Sequence, residues 1–95
     1  MHEAADLERM IAALWDDARP RLLARVETLE ALAAGPLTAA DRQLAYAEAH
    51  TLTGTLGAFG RVDASAAARG AEQAAQDGDH AALAAAVGAL RDALG

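Results

Sequence analysis

From Leu7 onward the apolar residues of this chain recur at intervals of three and four. Leu7, Ile11, Leu14, Ala18, Leu22, Val26, Leu29 and Ala33 fall on one stripe when each residue advances the chain by about 100°. That spacing demands an amphipathic helix and rules out a strand, whose apolar residues would alternate. Pro20 stands inside the stripe. A proline there removes one helical hydrogen bond and presses on the carbonyl of Asp16, so a kink or a break into two helices is expected near 17–19. Because the phase holds from Leu14 through Ala18 to Leu22, the pattern favours a kink that keeps one buried face.

The remaining boundaries are marked by their own chemistry. Gly35-Pro36 ends the first segment, a helix-stopping glycine followed by a proline. Thr38 suits the N-cap of a central helix, with Asp41 placed in its first turn to meet the helix dipole. This helix should run to about Phe59 and stop at Gly60. A third helix follows from Val62 or Asp63 to about Gln76, and so short a link implies an antiparallel neighbour. Asp77-Gly78-Asp79 reads as a turn, with Asp79 capping a last helix whose stripe is Leu83, Val87, Leu90 and Leu94.

Of the residues that make the chain 54% hydrophobic, 29 are alanine and only thirteen are leucine. Alanine is the strongest helix former and lets helices approach closely. The expected fold is therefore all-α, an antiparallel up-down four-helix bundle in a single domain over 1–95, with a thin core and the first helix kinked or broken near Pro20. Ninety-five residues do not enclose a substrate cleft, which argues against a classical enzyme.

On the central helix, Leu44, Ala45, Leu52, Leu56 and Phe59 gather in one arc that should be buried, and His50 falls on the far side with Gln43, Ala47, Gly54 and Gly57. His50 should face solvent. Each of the two glycines costs a helix about 0.8–1 kcal/mol relative to alanine. What they offer in return is access, because without side chains beside the imidazole another protein can approach the ring. If the second and third helices form a hairpin turning near Gly60-Arg61, a rise of about 1.5 Å per residue puts Arg69 and Glu72 near the level of His50.

The run Ala49-His50, Leu52, Gly54, Gly57, Phe59 and Gly60, followed by Ala71-Glu72, resembles the histidine-containing phosphotransfer domains of bacterial two-component phosphorelays. The family pattern is Ala-His-x-Leu-Lys-Gly, a glycine about ten residues after the histidine, and a Leu-Glu pair a helix later. The resemblance implies that His50 is a phosphoacceptor shuttling a phosphoryl group between receiver-domain aspartates, a carrier rather than a classical enzyme. It implies that receiver domains, and a hybrid sensor histidine kinase, are partners, and that the receiver brings the Mg²⁺ while this chain needs no cofactor or metal of its own. In some members a glutamate matching Glu72 holds the Nδ1 proton and leaves Nε2 free to attack. The family lysine three residues after the histidine is Thr53 here. Arg69 is a candidate to replace its charge, while the Thr53 hydroxyl is placed to bond back to the Ala49 carbonyl. Tyr46, one turn before His50, is expected on the docking surface together with Gly54 and Gly57.

Charge narrows the partners further. There is no lysine, and eight arginines against fourteen acids give a net charge of −6, which excludes the cationic footprint of a nucleic-acid or anionic-membrane binder. No run reaches the length of a membrane span, no basic-then-apolar leader is evident, and the lack of cysteine fits a reducing compartment, so a cytoplasmic location is expected. His2 and His80 look incidental, Trp15 and Phe59 read as core aromatics, and Asp16-Asp17 reads as a surface pair. One rival reading stands beside phosphotransfer, a non-catalytic interaction module that docks receivers or kinases without carrying phosphate. A homodimer in place of the expected monomer, its partner completing the thin core, is compatible with either.

Overall fold

A computed structural model describes residues 3–95; His2 lies outside the described residues. Four helices follow one another: α1 (Glu3–Ala33), α2 (Ala39–Ala58), α3 (Val62–Asp77) and α4 (His80–Leu94). Each packs against its neighbours in a closed ring, α1 on α2, α2 on α3, α3 on α4 and α4 on α1. The expected four-helix bundle is what forms.

The caps explain why the chain turns where it does. Thr38 accepts a hydrogen bond from the Asp41 amide at 3.0 Å, and the Asp41 carboxylate accepts one from the Thr38 amide at 3.1 Å, a closed capping box. At the other end of α2, Gly60 turns the chain with φ +72°, a conformation that strains residues with a side chain. Gly78 does the same after α3 at φ +67°, and Asp79 then caps α4 by accepting from the Ala82 amide. Arg42, near the start of α2, donates to the carbonyls of Ala75 and Gln76, so a cation sits on the electronegative end of α3 and pins the two helices antiparallel. On the first helix, Arg25 bridges both oxygens of Glu48 at 3.1 Å.

The core consists of Leu22, Val26 and Leu29 from α1, Ala45, Ala49, Leu52 and Leu56 from α2, an alanine face from α3 and Leu83, Val87 and Leu90 from α4. Two expectations are corrected. Leu44, expected in the buried arc, is exposed, because the arc that α2 presents to the core is centred on the spacing 45, 49, 52, 56, and Leu44 lies off its edge. The apolar stripe of α1 is buried only from Trp15 onward: Leu7, Ile11 and Leu14 are 56%, 45% and 57% exposed, as is Met10 at 61%. Trp15 lies level with the C-terminus of α2, where its ring meets Phe59 edge-on at 5.2 Å, and Arg61 covers its face at 4.0 Å. Everything before Trp15 runs past the end of the bundle, which is why the molecule measures 54 × 20 × 18 Å.

Pro20 does not divide α1, which is continuous from Glu3 to Ala33. The break that the proline could have produced is therefore absent. Pro20 and Asp16 are both exposed, so water is at hand for the carbonyl left without its helical partner.

Candidate functional site

His50 lies midway along α2 on the side turned toward α3, and its side chain is 69% exposed. Two groups meet the ring. Glu72, near the middle of α3 and only 16% exposed, brings Oε2 to 3.5 Å from Nδ1. This is ion-pair range, slightly longer than a formed hydrogen bond. On the preceding turn of α2, the Tyr46 ring lies almost parallel to the imidazole, at 11° with centroids 5.8 Å apart. Helical side chains lean toward the N-terminus, so a ring at position 50 settles over the turn that carries residue 46. With one face over Tyr46 and the Nδ1 edge toward Glu72, the Nε2 edge is directed away from both.

The sequence brings these groups together through the α2–α3 seam. Ser65, nearly buried, donates to the Thr53 carbonyl at 2.9 Å, and small residues line α3 where it meets α2. Gly57 belongs to this seam: a Cβ there would stand 3.5 Å from the Ser65 hydroxyl, in ordinary contact. Gly54 differs. A Cβ on it would meet nothing within 4 Å, so the space beside the ring is open. Both glycines are exposed, but only at Gly54 would an added Cβ meet no neighbour.

The residues around the lysine-like position are arranged unequally. Thr53 is half-buried and donates its hydroxyl to the Ala49 carbonyl at 2.9 Å, which commits that proton within the helix. Arg69 is exposed on α3, one turn before Glu72 on the same face, and makes no hydrogen bond or ion pair among the described residues. The contact of Tyr46 with His50 was not foreseen, since sequence reading placed Tyr46 only on a docking surface. The signal that could have found it is the i,i+4 spacing of two aromatic rings. Below the ring, Ala39, Arg42, Tyr46, Ala75 and Gln76 line an open groove between α2 and α3. His80 opens α4, away from this cluster, and among the described residues no three His, Cys, Asp or Glu side chains converge on a metal position. No helix among them is long and apolar enough to cross a membrane.

This arrangement can perform one kind of chemistry well. An imidazole that turns an Nδ1 proton to a carboxylate keeps its lone pair on Nε2 as a nucleophile, and the His50 side chain that could do this is 69% exposed rather than enclosed in a pocket. A family model described as the Hpt domain matches residues 4–95. No curated protein and no solved structure matches the chain.

Proposed function

The chain belongs to the Hpt domain family, and from that premise we propose that it carries a phosphoryl group on Nε2 of His50, taken from the aspartyl phosphate of one receiver domain and given to the aspartate of another. The observation that carries this reading is the exposed imidazole with Glu72 beside Nδ1. In the forward step the Nε2 lone pair forms a bond to phosphorus as the phosphorus–oxygen bond to the receiver aspartate breaks, and that electron pair leaves on the carboxylate. Delivery is the reverse. A loose, charged transition state needs position and electrostatics more than covalent help, so a small helical partner need only present an oriented ring.

Each nearby residue has a part in this scheme. Glu72 orients the ring through Nδ1, Gly54 opens the approach beside it, and Tyr46 and Gly57 flank that approach. Arg69 is the cation on α3 that can swing toward the phosphoryl oxygens in place of the lysine that Thr53 replaces. The Mg²⁺ belongs to the receiver. The protein acts as a monomer in the cytoplasm, with a receiver or a hybrid sensor kinase as its partner.

The test is to incubate the protein with a panel of phosphorylated receiver domains and look for acid-labile, base-stable phosphate on it. Labelling of this kind is expected. One observation favours a second reading, a module that docks receivers without carrying phosphate: the Thr53 hydroxyl is spent on Ala49 and supplies no charge at the lysine position. Binding of receivers with no labelling by any of them would establish that reading instead.

A further inference from the structure

His50 is exposed, yet its ring has a fixed neighbour. Tyr46 is half-buried and packs against the core, so its ring is more restrained than the exposed imidazole it faces. The two rings lie 5.8 Å apart between centroids and 11° from parallel. A histidine in the middle of an exposed helix face ordinarily samples several rotamers. Here an aromatic platform and a carboxylate on a separate helix select one of them.

We propose that Tyr46 is a positioning residue for phosphoryl transfer, whose ring face holds the His50 imidazole in its attacking orientation and stabilises the positive charge that the ring acquires on phosphorylation. The inference rests on His50 being the phosphoacceptor. The charge follows from counting electrons. Nε2 donates its lone pair to phosphorus while Nδ1 keeps its proton, so the product ring is an imidazolium until that proton leaves. The face of a tyrosine ring attracts such a cation, and the Glu72 carboxylate attracts it from the edge. Where the family places a lysine near the phosphoryl oxygens, this chain has Thr53. Tyr46 and Glu72 thus act on the positive end of the phosphohistidine, whatever cation serves its phosphoryl oxygens.

The test uses a donor that needs no docking. Phosphoramidate, a small molecule that gives its phosphoryl group to nitrogen nucleophiles with loss of ammonia, reports the ring and not the receiver surface. Tyr46→Leu should slow labelling of His50 and lower its equilibrium extent by about two- to fivefold, the scale of an exposed cation–π contact. Tyr46→Phe keeps the ring face and should restore both. In the wild type, through-space proton contacts between the Tyr46 and His50 rings should be seen by NMR, and they should persist in Tyr46→Phe. Equal labelling of Tyr46→Leu and wild type overturns the proposal. So does a Tyr46→Phe defect as large as that of leucine, which would move the role to the hydroxyl. If Tyr46→Leu does not fold, the wild-type ring contacts decide, and their absence overturns the proposal. A wild type that takes label from neither phosphoramidate nor any receiver defeats the phosphoacceptor reading itself, a result separate from a labelled wild type indifferent to Tyr46.

Discussion

The two faces of α2 obey opposite rules. Ala45, Ala49, Leu52 and Leu56 are fully buried, and their worth is in packing. His50 and Gly54 face outward, with half-buried Tyr46 at the edge between the faces; Gly54 is a poor helix residue beside open space and His50 is mostly exposed. One helix therefore separates stability from function by about half a turn. The lesson is that substitutions on one face should leave the property of the other face intact.

The largest effect expected is on the buried face. Leu52→Ala removes a fully buried side chain from a core made largely of alanine and should cost about 2–5 kcal/mol, read as a drop in the midpoint of chemical unfolding. The fraction that stays folded should label normally. A labelling defect per folded molecule would break the separation.

On the outward face, Gly54→Leu should act in the reverse sense. It should stabilise the helix by about 0.5–1 kcal/mol, since glycine is the worse helix former, while weakening receiver binding by filling the open side of the ring. Titration against a receiver, alongside a thermal melt, checks both signs. Unchanged binding would show that the receiver approaches by another route.

A smaller effect is expected at Thr53, which lies between the two faces. Thr53→Lys places a cation about one turn from the phosphoryl oxygens. It should raise phosphohistidine yield a few-fold, roughly 0.5–1 kcal/mol, by an amount that shrinks as salt rises. If Arg69 already supplies that charge, Thr53→Lys adds little and Arg69→Ala lowers the yield. Measuring both variants distinguishes the two.

The smallest effect concerns a pair remote from either face. Arg91 donates to both oxygens of Glu30 at 2.7 Å across the α1–α4 seam, and this hydrogen bonding holds the Glu30 carboxyl below its usual range. A lowered folded value means stability that is present above the unfolded carboxylate pKa and lost as pH falls through the folded one. Both groups are substantially exposed, so Glu30→Gln should lower the melting temperature only slightly at neutral pH. The gap should close in acid. A gap that widens in acid would contradict the sign.

Most of the fold was legible because helix caps and spacing are local. Thr38, Gly60, Gly78 and Asp79 each act within a few residues, and the helices end where those residues end them. What was not legible depended on which element lies opposite. The stripe through Leu7, Ile11 and Leu14 has the same spacing as the one through Leu22, Val26 and Leu29, yet only the second is covered. Periodicity shows that a face is apolar, not how far the neighbouring helix reaches. Leu44 fell outside the core for a related reason: the direction of the core is set by α1, α3 and α4, not by α2 alone. At the site, the level of Glu72 beside His50 followed from counting residues around the hairpin. The Tyr46 stack did not: the i,i+4 spacing put the two rings within reach, but whether Tyr46 turns to its neighbour or to a partner depends on what packs beneath it.

The central claim is that the carboxylate beside Nδ1 leaves Nε2 of His50 as the nucleophile. It is tested most directly by phosphorylating the protein, with its histidines isotope-labelled at nitrogen, from a receiver and reading the phosphorus–nitrogen coupling by NMR. The account predicts one phosphorylated histidine, His50, with phosphorus bonded to Nε2. Phosphorus on Nδ1, or on any residue other than His50, would contradict it.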